Sequence, residues 1–404
     1  MRVQILSVNF APEYSGIAPY VTGIAKHLSL SHDVTVIAGL PNYPEWKVAP
    51  GWRHWRSVER HDHLEIIRLA HYVPPKQDSV RRAGYEVTWA ARALAEGLRH
   101  PADVVIAVVP ALLTSHVGAL LARRHHARFG VVVQDIMSRA AAQSGIRGGR
   151  SAAGSAAWVE RSGLRRADGV CTIHPRFAEV LAADYAVTPQ ALRVIYNWSH
   201  IDAPAADRAQ TRRHLGWADD EVVALHSGNM GLKQELDNVV AAARLAQQQH
   251  APVRFVLAGD GNQRDRLEAR GAGLTHLEIR NHVAGEEFPD FLAAADVLLV
   301  NERTGVLEMS LPSKLTSYLV AGRPVVAATE AASATAELVT ASGAGVIAKP
   351  GDPQAMLDAV LDLGRDPDRA EHLGKLGQQF AFDELDSALA LAAYQDWVEQ
   401  LGDR

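Results

Sequence analysis

The chain has a single cysteine, Cys171, among 404 residues. An internal disulfide and a zinc site built from several cysteines are therefore excluded, and a reducing cytoplasm is the expected compartment. None of the 18 histidines falls in an HExxH pattern. GxGxxG and GxSxG strings are missing as well, so a dinucleotide fingerprint, a hydrolase elbow and a zinc-protease helix have no support. Charged residues at 22% and apolar residues at 48% rule out a disordered, collagen-like or coiled-coil chain. The start, MRVQILSVNF, has no apolar h-region, and no secretory leader is expected. The longest uncharged apolar stretch runs from Val104 to Ala122, where Pro110 divides VVIAVV from ALLTSHVGALLA with its polar Thr114, Ser115 and His116. A buried strand and a helix are expected there, not a membrane span.

What is present is a charge asymmetry and a repeated rhythm. Residues 1–199 hold 23 Lys/Arg against 15 Asp/Glu, a balance of +8, while the whole chain carries 41 − 46 = −5, which leaves −13 for the rest. Such a dipole suits two domains with different partners, or acidic helices that keep one half soluble. Short Val/Ile-rich runs (RVQILSVN, DVTVIAG, LEIIRLA, VVIAVV, FGVVVQD, GVCTI) alternate with helical stretches in the first half, and the rhythm restarts with VVALHSG, VRFVLAG, LEIRNHV, DVLLVN, PVVAAT and GVIAK. The expectation is an α/β chain of two doubly wound, Rossmann-like domains, 1–199 and 200–382, with a terminal helix at about 383–404 packing back on the first. In open sheets of this kind ligands bind beyond the carboxyl ends of the strands, which places function in a cleft between the domains.

Three loops after strands carry unusual residues. In NFAPEYSGIAPY, residues 9–20, Gly16 precedes a helix whose free N–H groups suit an anion, although ordinary turn geometry explains the glycine equally well. In HSGNMGLKQELDNVV, residues 226–240, two glycines permit close backbone approach, and Lys233 is read as standing at a helix start, where an unpaired cation opposes the dipole unless an anion offsets it. In LEMSLPSKLTSYLVAGRPVVAA, residues 307–328, Pro312, Ser313 and Lys314 open a helix that ends at Gly322, bringing a second lysine to a second helix start. Together the two lysines would neutralise a diphosphate. By contrast, Asp366-Pro367-Asp368 reads as a helix cap rather than a metal-binding DxD, and no essential metal is expected. His125 and His126 fall in the basic run ARRHHAR, which suits a solvated or anion-facing surface, and Cys171 lies in an apolar strand.

Along essentially its whole length the chain resembles glycosyltransferase family 4, the retaining GT-B enzymes, and within it the branch of the colanic acid fucosyltransferases and related exopolysaccharide enzymes. The segments that carry the resemblance are NFAPEYSGIAPYVTGIAKHL, LPNYPEWKV, YVPPKQDSVRR, VVVQDI, YNWSHID, SGNMGLKQELDNVV, VLAGDGNQRDRLE, LAAADVLLV and PSKLTSYLVAGRPVVAA. The resemblance implies that the second domain holds a UDP- or GDP-sugar donor and the first receives a glycan, lipid-linked or small-molecule acceptor, with no nucleic-acid partner. Lys233, Lys314, Asn229 and the backbone of Ser313, Lys314 and Leu315 would contact the diphosphate, with Gly16 closing over it from the other domain. Gly228, Gly259, Asp260, Val283 and Ser317 would line the nucleotide and ribose. Two departures stand out. Asn229 replaces a common Arg, and the second Glu of the usual Glu-x7-Glu pair is Ser317, which leaves Glu308, one position from the first, as the candidate toward the sugar. The usual His-Asp of the first domain is Gln134-Asp135, and since Gln is no base, a proton or hydrogen-bond role passes to Asp135. A retaining reaction without an evident nucleophile is drawn as front-face substitution, which needs mainly electrostatic stabilisation of the leaving diphosphate. A nucleotide-sugar 2-epimerase and a two-domain binding protein share the two-domain plan.

The basic first half also contains NYPEWKVAPGWRHWR, where Trp46, Trp52 and Trp55 alternate with Lys47, Arg53, His54 and Arg56. Tryptophan beside cations suits a membrane interface, which would make the protein peripheral on the inner face of the cell membrane. Packing of the same rings into the first domain's core is the competing expectation.

Overall fold

The computed structural model describes residues 1–75, 78–139, 149–283, 285–305 and 313–403. It divides into two compact units: Met1–Asn197 together with the last helix, which begins at Ser387, and a second unit that starts at Trp198 and runs to Asp386.

The first unit is built on an eight-stranded sheet in the order β3-β4-β2-β1-β5-β6-β7-β8. Its strands are β1 (Arg2–Ser7), β2 (Asp33–Gly39), β3 (Arg56–His61), β4 (Leu64–Leu69), β5 (Val104–Val109), β6 (Arg128–Val133), β7 (Gly169–Thr172) and β8 (Leu192–Val194). VVIAVV is buried at every position of β5, the signature of a parallel strand covered on both faces. Thr114–His125 then forms a helix, so the uncharged stretch is a strand and a helix as its proline implies; among the described residues no helix is long and apolar enough to cross a membrane. The edge strand β3, RSVERH, was not expected. It pairs antiparallel with β4 through a turn at Asp62 (φ 42°), and its charged, exposed residues blunt the sheet edge.

The covering helices are α1 (Ala18–Leu28), α2 (Ser79–Gly97), α3 (Thr114–His125), α4 (Gly149–Leu164), α5 (Pro175–Tyr185) and, from the chain's far end, α14 (Ser387–Gly402). Strand glycines make the seat for α14. A Cβ on Gly130 of β6 would lie 2.8 Å from the Trp397 ring, and one on Gly169 of β7 would lie 2.9 Å from Leu401.

The second unit has a six-stranded, wholly parallel sheet in the order β11-β10-β9-β12-β13-β14. Its strands are β9 (Val222–Ser227), β10 (Val253–Ala258), β11 (Leu277–Arg280), β12 (Val297–Asn301), β13 (Val325–Ala328) and β14 (Gly345–Ala348). Its helices are α6 (Arg208–Leu215), α7 (Asp237–Gln249), α8 (Arg264–Gly271), α9 (Phe288–Ala294), α10 (Ser313–Val320), α11 (Ala334–Ser342), α12 (Pro353–Arg365) and α13 (Pro367–Glu384). Strand order reverses between β9 and β12, and in the first unit between β1 and β5, so each sheet opens a crevice beyond those strand ends. The loops that hold Gly16 and Lys233 leave β1 and β9 at these two points. Asp366 accepts a hydrogen bond from the Arg369 N–H at 3.0 Å with Pro367 in the first turn of α13, so Asp366-Pro367-Asp368 is the helix cap its sequence suggests.

A buried guanidinium ties α6 to this second sheet. Arg212 is 3% exposed and donates to the Ala294 carbonyl (3.0 Å), the Asp296 carboxylate (2.9 Å) and the carbonyls of Ala218 (2.6 Å) and Glu221 (2.9 Å). Asp296 also accepts the Val223 N–H at the start of β9, at 2.8 Å. Removing Arg212 takes the donor from three carbonyls, while Asp296 keeps its pairing with Arg208 and the Val223 N–H. Arg212→Ala is expected to destabilise the second unit by roughly 1 to 3 kcal/mol, the cost of leaving buried acceptors without their donor. A urea-unfolding midpoint unchanged from the parent would contradict it.

Candidate active site

At the crevice of the second unit two glycine turns interlock. Gly228 (φ 118°) follows β9 and Gly259 (φ 147°) follows β10, and a Cβ on Gly259 would stand 1.9 Å from the Gly228 carbonyl oxygen. No side chain fits at that crossing. The Gly228 N–H bonds the Ala258 carbonyl at 2.8 Å, the Met230 N–H bonds the Asp260 carbonyl at 2.8 Å, and the Gln263 N–H bonds the Met230 carbonyl at 3.0 Å. Asp260 is exposed and its carboxylate accepts the Gly261 N–H at 2.7 Å; Asn229 is exposed, and Val283, after β11, is half-buried.

Lys233 does not stand at a helix start. It lies in a turn, and α7 begins at Asp237, whose carboxylate pairs with Arg266 (2.7 Å) and Arg270 (2.5 Å). The helix dipole therefore meets an acid, and the opposing-dipole argument for Lys233 fails. The reason is tertiary. Asn301, at the end of β12, donates to the carbonyls of Gln234 (2.7 Å) and Glu235 (3.1 Å), while Asn238 donates to Asn301 at 2.8 Å. Glu235 is held at φ 44°, outside the helical region, and the Lys233 carbonyl accepts the Arg303 N–H at 2.9 Å. The turn thus presents Lys233 from the crevice between β9 and β12.

Lys314 is the second residue of α10, as expected, and the first-turn N–H groups belong to Ser313, Lys314 and Leu315. The Leu315 side chain is core, so only its backbone faces the loop; Ser317 is half-buried on the same helix. Tyr318 fixes the helix against the glycine turn: its hydroxyl accepts the Ser227 N–H at 2.8 Å and donates to the Ser227 carbonyl at 3.3 Å. The Lys314 amine sits 3.0 Å from Nε2 of His226, and a Cβ on Gly228 would lie 3.6 Å from the same amine. Burial pushes the Lys314 amine down to about 7; the buried Glu302 carboxylate opposes that shift and the Lys233 charge adds to it. The two lysines therefore feel each other at one glycine turn. His226 escaped notice in the sequence, because a histidine inside an apolar run has the look of a core residue. Glu308 and Pro312 lie outside the described residues.

In the first unit the loops after β1, β2 and β6 gather a second polar cluster. Gly16 (φ 65°) packs against Tyr43, whose ring would be 3.0 Å from a Cβ at that position. Glu13 is buried; it accepts the N–H groups of Asn42 (2.7 Å) and Tyr43 (2.8 Å) and the Asn9 amide (2.9 Å). Burial raises its carboxyl against those hydrogen bonds. The Tyr43 phenol is raised by burial and then by the charges of Asp135 and Glu13. Gln134 is occupied in a reciprocal amide pair with Asn197, at 3.1 and 2.7 Å, which leaves Asp135 as the polar group of that loop. Glu13 and Tyr43 were not singled out from the sequence. Among the described residues no group of three or more His, Cys, Asp or Glu could hold a metal ion.

The three tryptophans of the basic segment behave differently from one another. Trp46 packs on Tyr43 and Tyr85 with the Arg82 guanidinium 5.1 Å from its ring centroid, and Trp52 carries Arg68 at 4.8 Å. Both rings are half-buried, whereas Trp55 is 73% exposed with Arg92 stacked on it at 3.7 Å.

Residues 221–366 match the family described as "Glycosyl transferases group 1", and residues 15–198 match the "Glycosyl transferase 4-like domain". Escherichia coli (strain K12) WcaI, named as a colanic acid biosynthesis glycosyl transferase, is 30% identical over 374 residues, covering 89% of this chain and 91% of the relative. A 2-deoxystreptamine glucosyltransferase of Streptomyces kanamyceticus is 29% identical over 260 residues, 59% of this chain and 62% of that one. Among solved structures, the sucrose-phosphate synthase of Thermosynechococcus elongatus superposes with a TM-score of 0.79 at 18% identity, covering 99% of this chain and 98% of its own. Anabaena HepE in complex with UDP gives a TM-score of 0.72 at 16% identity over 99% of this chain and 100% of its own. With both halves matched in order, a relative aligned along nearly the whole chain and a two-unit GT-B fold, the chain belongs to the group 1, 4-like glycosyltransferases.

Proposed function

We propose that the protein moves a sugar from a UDP- or GDP-sugar onto a lipid-linked acceptor in exopolysaccharide or cell-surface glycan assembly, with retention at the anomeric carbon and without an essential metal. The observation that carries this reading is the convergence of Lys233, Lys314 and the first-turn N–H groups of α10 on the Gly228 turn. Two cations and a helix start at one glycine turn suit a diphosphate, and they stabilise it most when it leaves with full charge. The names of relatives support the substrate class: HepE is described with UDP and with UDP-glucose, and WcaI with colanic acid biosynthesis. In this reading Ser317, Asp260 and Val283 face the nucleoside, Glu308 the sugar, Gly16 the diphosphate and Asp135 the acceptor. A soluble small-molecule acceptor is the second reading, favoured by the likeness to the 2-deoxystreptamine glucosyltransferase.

Incubation with a panel of nucleotide sugars tests the donor reading. Release of nucleoside diphosphate that persists in excess EDTA is expected, with an α-configured product by NMR from an α-linked donor. An epimerised sugar nucleotide would reassign the chemistry. Lys233→Ala and Lys314→Ala should each weaken donor binding by roughly 1 to 3 kcal/mol, the range for charge-assisted hydrogen bonds. Unchanged nucleotide affinity in both would remove the assignment.

For the membrane contact we propose α2 rather than the tryptophan trio, of which Trp46 and Trp52 are half-buried. That helix exposes Val80, Ala83, Val87 and Ala91, with Leu98 exposed just past its end, and Trp55 and Tyr72 flank it, with Arg92 stacked on Trp55 and the Tyr72 N–H bonded to Thr88 of α2 at 3.1 Å. An apolar helix face beside arginines, in the half that carries the positive balance, suits an anionic headgroup layer on the cytoplasmic side, each cation there adding about 1 kcal/mol. Cosedimentation is expected with anionic vesicles only, falling with salt and with Val87→Glu. Failure to sediment at low salt would favour the soluble acceptor.

A further inference from the structure

A pocket of about 480 Å³ on the first unit has no part in the roles given so far. Its walls are the continuation of the Asp135 loop at Ser138 and Arg139, the outward side of α4 at Trp158 and Arg161, and the last turn of α5 at Asp184 and Tyr185. That volume is within the range of small-molecule sites. Trp158 is 71% exposed, a large apolar ring left open beside an arginine.

The floor of the pocket is fixed from within the unit. Glu160 is buried and accepts the N–H groups of Met137 (2.6 Å) and Ser138 (3.0 Å), and the Ser138 hydroxyl shares a hydrogen bond with the Tyr185 phenol. Those two N–H groups open the helical turn that begins at Met137, so the place an anion would take there is filled by the unit's own carboxylate. An anion in this pocket is therefore held by side chains. Arg139 pairs with Asp184 of α5, which holds its guanidinium in place. Arg161 is exposed and, among the described residues, in no ion pair; Arg165 follows one turn later, exposed and likewise unpaired. Both Glu160 oxygens are engaged by backbone, so Arg161 keeps its charge for a ligand.

The surroundings decide which kind of anion fits. α2 packs on α3, α3 on α4 and α4 on α5, so the four helices form one layer over the sheet. Val87 of α2, Leu120 of α3 and Trp158 of α4 are each more than half exposed, and Arg81, Arg123, Arg124 and Arg161 are exposed on the same helices. A free sugar phosphate has no use for open apolar side chains. A chain of isoprene units ending in phosphates uses both the arginines and the apolar surface.

Resting on the lipid-linked reading above, we propose that this pocket binds the prenyl diphosphate end of the acceptor: Arg161 and Arg139 hold the phosphates, and the first isoprene units lie on Trp158. Ser138 and Arg139 come three and four positions after Asp135, so a lipid anchored here leaves its sugar end at the loop assigned to the acceptor.

The test is titration calorimetry of the full chain with farnesyl diphosphate, with UDP in excess to fill the donor site. The parent should bind saturably, whereas inorganic pyrophosphate and farnesol, each carrying one half of the ligand, should bind at least about tenfold more weakly. Arg161→Gln should weaken farnesyl diphosphate about tenfold or more. Trp158→Ala should weaken it several-fold and leave pyrophosphate unchanged, and the change in tryptophan emission on binding should vanish in Trp158→Phe. Both side chains are exposed, so the variants should unfold at the parent's temperature. Unchanged farnesyl diphosphate affinity in Arg161→Gln and Trp158→Ala would overturn the pocket while leaving the lipid-linked acceptor in place. Lysophosphatidylglycerol bound as tightly, and weakened by the same variants, would overturn the prenyl assignment in favour of a phospholipid headgroup. No binding of farnesyl diphosphate by the parent would instead remove the lipid-linked reading itself.

Discussion

Where β9 and β10 end, two peptide chains touch with no room for a methyl group between them, the Gly259 α-carbon facing the Gly228 carbonyl. Much of the second unit's site is set by this contact. It brings the Asp260 loop under Met230, which fixes the course of the chain up to the Lys233 turn, and it leaves a flat glycine surface for the Lys314 amine to lie on. Tyr318 then clamps α10 to the same strand end from the other side. Asn301 finishes the arrangement by taking the carbonyls that would have started a longer helix. The positive potential of this turn is thus assembled on backbone whose course is fixed by its neighbours.

Most of the architecture was legible because parallel strands leave a plain trace: unbroken Val/Ile runs such as VVIAVV and VVALHS, with helical spacing between them. The charged β3 left no such trace, since RSVERH looks like a solvated loop until Leu64–Leu69 supplies its partner. Lys233 was assigned to a helix because KQELDNVV has helical composition; what stops the helix is a side chain more than sixty residues downstream, beyond the reach of local pattern. His226 and Lys314 are 88 positions apart, and only the parallel crossover brings them together. The Asp366 cap, by contrast, is a local interaction spanning three residues, and its sequence states it outright.

Part of the first half's positive charge is engaged within its own unit. Arg82, Arg68 and Arg92 lie over Trp46, Trp52 and Trp55, so cations that composition alone offers to an outside partner are partly engaged with rings of their own unit. Arg68 is itself buried and pairs with Glu59 at 2.8 Å. On α2 the small and aliphatic Val80, Ala83, Val87 and Ala91 are exposed alongside Arg81.

The seat of α14 bears on the order in which this protein becomes complete. Trp397 and Leu401 rest on Gly130 and Gly169, α14 also touches α1, and in the turn after α1 His32 meets Glu399 at 3.3 Å. The first unit is therefore discontinuous in the chain: its sheet is translated first, yet one of its walls is made of residues translated after the second unit. The second unit lies between Trp198 and Asp386 and has all its described strands and helices by then. Synthesis thus finishes the second unit before the first, and until α14 arrives, bare glycines on β6 and β7 remain an apolar face open to chaperones or to another nascent chain.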